Sequence, residues 1–367
     1  MSTYHNPVQI IKTDDWKNEL SVTMKDLKIS NPVIVTSPGN RRRLKLNEIY
    51  DPSSIFSDVD SNPTFQNCEN SVLFCKKKSF DGVIALGGGS VMDLAKVVMS
   101  YLCLKKTDIQ ELIDHKDPYP KDIPSVFLPT THGTASEVTM WGTVWNMDEG
   151  KKYSISHPSL YPTVAILDGN LTLSLPLDIS ITTVMDALSH SFESIWNKNA
   201  NPTSTDFAIS AICSILEFGP KLKEDPNNLE IRNELLNAST VAGLAFSNTT
   251  TAAAHSMSYP LTIHYGIPHG VASSISLLLL LDINGEKIKE PLEQIINNNG
   301  CTMDELKETI RLIPQGVVPY TLYEWGVPED QLSKLANESF TKGRMENNVV
   351  DLTIEDVLSI LVELYKN

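Results

Sequence analysis

The first half of the chain alternates short apolar runs with a segment of helical spacing. Apolar runs at 32–36, 80–86 and 125–129 predict buried strands, residues 37–40 predict a turn, and the stretch 91–99 predicts a helix. The pattern ends after the apolar run 164–168. Strands that alternate with helices require crossover connections, which imply a parallel sheet covered on both faces. We therefore expect a Rossmann-like α/β domain over this half.

Beyond about residue 170, long stretches with apolar residues at helical spacing replace this pattern. They cover residues 179–197, 204–216, 231–247, 303–312 and 354–365. The change predicts a domain boundary near Asn170, with the α/β domain over 1–170 and an all-helical domain over 171–367. Because no low-complexity linker marks the boundary, we expect the two domains to share an extensive interface and a cleft.

Composition and charge exclude several classes of protein. The 367 residues include 30 basic and 45 acidic side chains, and this balance of −15 argues against nucleic acid and anionic membranes as partners. The 41% share of hydrophobic residues is typical of a globular protein rather than a disordered one. Scattered cysteines without CxxC spacing fit reduced thiols better than a disulfide framework. With no signal peptide and no membrane-spanning run apparent, a cytoplasmic location is expected.

Two loops that follow predicted strands have the composition of a dinucleotide site. The junction 87–90, Gly-Gly-Gly-Ser, lies between a strand and a helix, where glycines let the backbone approach a pyrophosphate and the helix N-terminus supplies N–H donors. The loop 130–136 is rich in hydroxyls, as a loop around a ribose or a nicotinamide would be. The first lacks GxGxxG spacing and the second has the composition of ordinary turns, so plain turns remain an alternative for each motif alone.

Four possible metal ligands lie in the second half. Asp186 and His190 are four residues apart in a helical stretch, which places them on one helix face, one turn apart. Prolines and a glycine separate His255 from His269, so we expect these residues at the end of one helix and the start of the next. A carboxylate and three imidazoles suit Fe(II) or Zn(II). A helix-surface hydrogen bond is the commoner meaning of the Asp/His spacing alone.

Taken together and in this order, the motifs resemble the iron-containing (group III) alcohol dehydrogenase family over nearly the whole chain. The matching segments are Gly87–Ser90 with Asp93 and Lys96, the loop 129–139, Asp186 with His190 and Glu193, and 255–270. The resemblance implies an α/β Rossmann-like domain followed by a helical domain, a fold shared with dehydroquinate synthase. It also implies metal ligands at Asp186, His190, His255 and His269. The residues implied to line the dinucleotide are Asn62, Gly87, Gly88, Gly89, Ser90, Asp93, Thr130, Thr131, Thr134, Thr139 and Leu175.

The activity implied by the resemblance is hydride transfer between a nicotinamide cofactor and a small aldehyde or primary alcohol. Fe(II) is the expected metal, with Zn(II) as an alternative, and a homodimer or larger homo-oligomer is implied as well. Two other classes share the two-domain plan: sugar-phosphate cyclases that use NAD and a metal, and an inactive binding protein of the same fold. The Asp186/His190 pair with the Pro-Thr-Thr loop favours the dehydrogenases, and the four filled ligand positions argue against an inactive protein.

One departure from the family pattern concerns the cofactor. Many members have an Asp after the first strand that binds the adenosine ribose, and this chain has Ser37 there, followed by Arg41, Arg42 and Arg43. Loss of the carboxylate removes repulsion against a 2′-phosphate, and arginines can pair with that phosphate. We therefore expect NADP(H) in preference to NAD(H), with the alternative that the arginines only cover the start of a helix.

A second departure concerns the substrate. Tyr259 stands where many members have a further histidine, and it would donate a proton, shape the pocket or simply pack. The segments 255–270 and 343–348 resemble the phosphonoacetaldehyde reductase (2-hydroxyethylphosphonate dehydrogenase) branch of the family. That resemblance implies a small phosphonate-bearing aldehyde, with His264, Arg344 or Lys152 holding its anion. A general short-chain alcohol or lactaldehyde-type dehydrogenase is the alternative.

Overall fold

The computed structural model describes residues 3–147, 149 and 151–366. Its contacts divide the described chain into two compact units. Asn6–Thr131 and Ala135–Thr172 form the first, which we call the α/β unit. The residues up to His5, the segment His132–Thr134 and the chain from Leu173 onward form the second, the helical unit. The boundary predicted near Asn170 places both short segments in the α/β domain, whereas their contacts place them in the helical unit.

A parallel sheet of six strands forms the centre of the α/β unit. The strands of this sheet are β1 Gln9–Lys12, β2 Pro32–Thr36, β3 Ile55–Phe56, β4 Gly82–Gly87, β5 Ser125–Pro129 and β8 Val164–Leu167. The unit also contains β6 Trp141–Asn146 and β7 Lys151–Ser156. Strands β6 and β7 form a separate antiparallel pair, and the other six pair in the order β1-β8-β5-β4-β2-β3, all parallel. The predicted Rossmann-like sheet is thus confirmed.

In the described part of the chain, six α-helices complete the α/β unit. They are α1 Trp16–Asp26, α2 Pro38–Arg43, α3 Leu46–Ile49, α4 Phe65–Cys75, α5 Gly89–Leu104 and α6 Ile109–Asp114. Every residue of β2, β4 and β5 is buried, because separate clusters of apolar side chains pack on the two faces of the sheet. The chain passes from β2 to β3 on one side and then to β4 on the other. Such a reversal of strand order places a ligand crevice at the carboxyl ends of β2 and β4.

The helical unit is built of helices over its described residues, as the sequence predicts. They are α7 Leu177–Ile195, α8 Pro202–Glu224, α9 Leu229–Thr249, α10 Ala253–Tyr265, α11 His269–Ser274, α12 Leu277–Asn284, α13 Lys289–Asn299, α14 Met303–Leu312, α15 Leu332–Glu338 and α16 Ile354–Lys366. Helix α7 is buried at every residue from Val184 to Ile195, so it lies at the centre of the unit. Within the described residues, no helix has the length and apolar character needed to cross a membrane.

Two local expectations from the sequence are wrong. His255 lies in the first turn of α10 rather than at the end of a helix, and α10 continues through Pro260 to Tyr265. Proline removes one backbone hydrogen bond from a helix, and the burial of almost all of α10 before Pro260 offsets that loss. The segment after Ser37 is also a helix, α2, rather than a turn, because Pro38 occupies its first position and Ser37 caps it.

Candidate metal and dinucleotide sites

One face of α7 carries three ionisable side chains of the candidate metal site. Asp186, His190 and Glu193 follow one another at i, i+4 and i+7, a spacing that aligns them along one side of a helix. Their exposed fractions are 2%, 5% and 0%, respectively. Charged groups buried to this degree require partners. The partners come from α10 and α11.

The structure brings Asp186, His255 and His269 together within the helical unit, and the fourth predicted ligand, His190, lies beside Asp186. His255 Nε2 lies 3.5 Å and His269 Nε2 lies 3.9 Å from Asp186 Oδ1, while His190 Nδ1 lies 4.0 Å from Asp186 Oδ2. Ligand atoms of Asp186, His255 and His269 all lie within 4.8 Å of one another. Tetrahedral ligands about 2.1 Å from a zinc ion are roughly 3.4 Å apart. These three ligand atoms are therefore farther apart than in a loaded site, by about 1.4 Å at most.

A close approach of helices brings His269 to α7. His269 is the first residue of α11, and Gly270 follows it. A Cβ atom on Gly270 would lie 2.1 Å from the carbonyl oxygen of Thr182 on α7, which is far inside contact distance. Glycine at this position is therefore needed for α11 to pack beside the Asp186 face.

Groups outside the four ligands orient them. Glu193 Oε2 lies 2.5 Å from His255 Nδ1, and its Oε1 accepts a hydrogen bond of 3.1 Å from the backbone N–H of His255. Ser273 Oγ donates to Asp186 Oδ1 at 2.9 Å. A carboxylate on the far nitrogen of a metal-binding imidazole fixes its ring and tautomer. From the sequence, Glu193 is identified only as part of a motif and not as a partner of His255. Its i+7 spacing from Asp186 nevertheless places it on the same face of the helix.

The pKa values in the cluster favour an ionised Asp186, a neutral His190 and a protonated His255. Burial alone would raise the pKa of Asp186, but the neighbouring histidines lower it well below its usual range. Burial lowers the pKa of His190 to about 4, so this imidazole is neutral. Burial opposes charge on His255 too, yet the carboxylates of Glu193 and Asp186 raise its pKa to about 10.

The donor atoms of the cluster fit a divalent first-row metal. Nδ1 of His190 and Nε2 of His255 are buried without a hydrogen-bond partner among the described residues. Buried polar atoms without partners are rare and costly, so these nitrogens point to a group absent from the protein itself. One carboxylate oxygen and three imidazole nitrogens are suitable ligands for Fe(II) and Zn(II).

The glycine junction lies at the carboxyl end of β4, where the strand order reverses. Gly88 caps α5 without a side-chain hydrogen bond, which leaves the first N–H groups of that helix available to a phosphate. The backbone N–H of Thr130 donates to the carbonyl of Gly87 at 3.1 Å, so the loop after β5 runs alongside the junction. A Cβ on Gly88 would lie 2.9 Å from Thr131 Cγ2.

A buried lysine organises the neighbouring cofactor candidates. Lys96 Nζ donates to Ser136 Oγ at 2.8 Å and to Thr139 Oγ1 at 2.9 Å, and Ser136 Oγ donates in turn to Asp93 Oδ1 at 2.9 Å. Burial lowers the pKa of Lys96 to about 7 and raises the pKa of Asp93. The lysine therefore links α5 to the segment that contains Thr139.

The remaining cofactor candidates divide between the two units. In the α/β unit, Ser90 Oγ accepts from the backbone N–H of Asn62, and Ser37 caps α2 by accepting from the N–H of Asn40, both at 3.2 Å. Arg41 donates to Asn47 Oδ1 at 2.9 Å and to Ser57 Oγ at 3.0 Å. Thr134 and Leu175 belong to the helical unit.

The candidate anion-binding residues differ in their partners. His264 Nε2 lies 2.6 Å from Glu338 Oε2, so a carboxylate already engages this imidazole. Arg344 Nε donates to Tyr259 Oη at 3.4 Å. Lys152 lies in the α/β unit, with Nζ 5.8 Å from the ring centroid of Trp145.

Comparison with known proteins gives matches over both halves of the chain. The family profile "Iron-containing alcohol dehydrogenase" matches residues 7–169, and "Fe-containing alcohol dehydrogenase family, C-terminal" matches residues 180–365. The chain is 31% identical to long-chain-alcohol dehydrogenase 1 of Geobacillus thermodenitrificans over 79% of this chain and 76% of that protein. It is 30% identical to 4-hydroxybutyrate dehydrogenase of Clostridium kluyveri over 83% of this chain and 84% of that protein.

Solved structures give the same result. Sulfoacetaldehyde reductase from Bifidobacterium kashiwanohense, crystallised with NAD+, superposes with a TM-score of 0.90 and 29% identity over 100% of this chain and 99% of that one. The protein is therefore an oxidoreductase that acts on CH–OH groups. It belongs to the iron-containing alcohol dehydrogenase family, as its sequence motifs imply.

Proposed function

We propose that the protein is an Fe(II)-dependent, NADPH-linked reductase that converts a small aldehyde to a primary alcohol. The observation that carries this proposal is the buried cluster of Asp186 with His190, His255 and His269, in which two imidazole nitrogens have no partner among the described residues. Buried imidazole nitrogens without a bound group are usually satisfied by protein groups or ordered water.

In this proposal, Asp186, His190, His255 and His269 hold the metal. A divalent ion bound there supplies electrostatic stabilisation of the oxygen that changes between carbonyl and alkoxide. Glu193 retains the Nδ1 proton of His255, so that Nε2 is presented to the ion. The hydroxyl of Ser273 donates a hydrogen bond to Asp186 Oδ1 and thereby holds the carboxylate in one orientation. Zn(II) satisfies the same donor set, so the choice of Fe(II) depends on reconstitution.

The dinucleotide part of the proposal rests on the carboxyl ends of β2, β4 and β5. The N–H groups after Gly88 suit the pyrophosphate, and the bound nicotinamide supplies the hydride. Ser37 offers no carboxylate to repel a 2′-phosphate, and Arg42 on the adjoining helix α2 is exposed. These features support a preference for NADPH, and a higher kcat/KM with NADH would overturn it.

Phosphonoacetaldehyde is the substrate we propose. Sulfoacetaldehyde, the substrate in the name of one similar reductase, has the same two-carbon aldehyde with a sulfonate in place of the phosphonate. The relative named for 4-hydroxybutyrate acts on an alcohol that bears a carboxylate. An aldehyde with an acidic group therefore agrees with two similar proteins as well as with the sequence resemblance of 255–270 and 343–348.

The test is a panel of aldehydes with protein reconstituted under anaerobic conditions. Metal-free protein, Fe(II) protein and Zn(II) protein are each assayed for NADPH and NADH oxidation with phosphonoacetaldehyde, sulfoacetaldehyde, butanal and lactaldehyde. The proposal predicts activity only with metal, the highest kcat/KM with phosphonoacetaldehyde, and a preference for NADPH. Equal kcat/KM for butanal and phosphonoacetaldehyde would favour a general short-chain dehydrogenase. Light scattering of the same samples tests the homodimer that we include in this proposal.

A further inference from the structure

Arg344 is a half-buried cation that forms no ion pair with any acidic residue the structure describes. Its Nε donates to Tyr259 Oη at 3.4 Å and its Nη1 donates to the carbonyl of Gly343 at 2.8 Å. Among the described residues, no carboxylate lies within ion-pair distance of this guanidinium, and Nη2 has no hydrogen bond. Arginine presents donors in a planar fork that suits the oxygens of phosphonate, sulfonate and carboxylate groups. The side chain therefore retains donors for an anion.

The position of Tyr259 relates Arg344 to the metal cluster. Tyr259 follows His255 by four residues in α10, so both side chains project from one face of the helix. One such step corresponds to about 6 Å along a helix axis. This one-turn offset agrees with a short molecule that places its carbonyl oxygen near His255 and its anionic group near Arg344.

The chain around Arg344 is held to the start of α10 and to the loop before it. Thr341 donates its N–H to Ser256 Oγ at 3.1 Å, next to His255. On the other side of Arg344, Asn347 Nδ2 donates to Thr250 Oγ1 at 3.0 Å and to the carbonyl of Thr251 at 2.9 Å. Contacts on both sides hold the chain that carries Arg344 in place before any ligand arrives, which reduces the entropy lost on binding.

The other two candidate cations lack this arrangement. The imidazole of His264 is engaged by Glu338, and Nζ of Lys152 lies 5.8 Å from the ring centroid of Trp145. The net charge of −15 also means that the protein as a whole repels a small anion, so a substrate with an acidic group needs a local cation.

We infer that Arg344 binds the acidic group of a short anionic aldehyde, and that Tyr259 positions its guanidinium. This inference rests on the proposed function and names the specificity residue of the same site. Phosphonoacetaldehyde and sulfoacetaldehyde both carry an acidic group, a phosphonate or a sulfonate, on the carbon next to the aldehyde. The experiment therefore tests each of them separately.

The experiment compares R344Q, R344K and Y259F with the wild type. Lys342→Gln is the matched control, because it removes one positive charge from an exposed side chain two residues away. For R344Q we expect kcat/KM to fall roughly 100-fold with phosphonoacetaldehyde or sulfoacetaldehyde, mainly through KM, and less than threefold with butanal. R344K should lose about tenfold, because lysine keeps the charge without the fork. Y259F should raise KM for the anionic aldehydes alone, and K342Q should change nothing.

A binding measurement gives a readout that does not depend on turnover. Calorimetric titration with 2-hydroxyethylphosphonate should give a dissociation constant about 100-fold higher for R344Q than for wild type and K342Q. Equal losses with butanal and with the anionic aldehydes, or an unchanged affinity for the phosphonate, would overturn the inference. A wild-type protein that reduces no aldehyde would refute the proposed function instead, and a selective loss of phosphonate binding in R344Q would still support the role of Arg344.

Discussion

The carboxylate of Glu193 offers a test of the metal cluster that leaves all four ligands in place. It is fully buried on α7 and contacts both the ring Nδ1 and the backbone N–H of His255. Glu193→Gln keeps the size and shape of the side chain but removes its charge and one of its two acceptor oxygens. The imidazole of His255 then loses the anion that fixes its ring and increases the basicity of Nε2.

The structure sets the size of the expected effect. Loss of a carboxylate that supports a metal-bound histidine costs about 10- to 100-fold in metal affinity, or about 1.4 to 2.7 kcal/mol. The 2.5 Å separation between Glu193 Oε2 and His255 Nδ1 is short and charge-assisted, and neither group reaches solvent. We therefore expect an effect near the upper end of that range.

The assay is a competition titration of metal-free protein with Zn(II) against a chromophoric chelator, repeated with Fe(II) under anaerobic conditions. Glu217→Gln is the matched control, because it removes an exposed carboxylate whose partner is Lys221 one turn away. The thermal unfolding of metal-free samples shows whether each variant folds. A folded E193Q protein that binds metal within threefold of wild type would refute our account of this cluster, as would equal losses in the two variants.

Three further predictions concern the cofactor site. Gly88→Ala places a methyl group 2.9 Å from Thr131 Cγ2, and we expect the dissociation constant for NADPH, measured by fluorescence, to rise about tenfold; unchanged binding would contradict it. Ser37→Asp keeps the cap of α2 but repels a 2′-phosphate, so the ratio of kcat/KM for NADPH to that for NADH should fall about tenfold; a constant ratio would argue against the proposed preference. The depressed pKa of Lys96, about 7 in the folded protein against an ordinary value of 10.5, means that the unfolded chain binds an additional proton between these pH values. Its contribution to the free energy of unfolding therefore rises from pH 7 to 10.5, and urea denaturation should show a steeper rise for wild type than for Lys96→Met.

The sequence predicts the centre of the sheet better than its margins. The predicted runs 32–36 and 125–129 coincide with β2 and β5, because strands buried on both faces are apolar throughout. The edge strand β1 is exposed at both ends, and β6 alternates half-buried with buried residues. Neither produces a continuous apolar run, so neither is predicted. Helix α2 is also missed, because Pro38 and Gly39 have the composition of a turn.

In the candidate site, too, the sequence predicts what depends on local spacing and misses what depends on tertiary contacts. Helical spacing alone places Asp186, His190 and Glu193 on one face of α7. It cannot bring His255 and His269 to that face, because their positions depend on how α10 and α11 pack against α7. The resemblance to the family, rather than the spacing, is what groups His255 and His269 with Asp186 and His190 as ligands. The partners of Glu193 and Arg344 emerge only from the structure.

The charges of the cluster connect the metal site with the choice of substrate. Asp186 and Glu193 both have pKa values below their usual range. Neighbouring histidines outweigh the effect of burial on Asp186, and His255 with nearby backbone N–H groups does so on Glu193. When a divalent ion replaces the proton on His255, two carboxylates balance two positive charges, and the loaded site is neutral. A neutral site attracts a carbonyl oxygen but offers no net attraction to an acidic group elsewhere on the substrate. In a protein of net charge −15, selectivity for an anionic aldehyde must therefore come from a cation outside the metal cluster. Arg344 meets that requirement, because it lies beside α10 with donors that no carboxylate of the described residues engages.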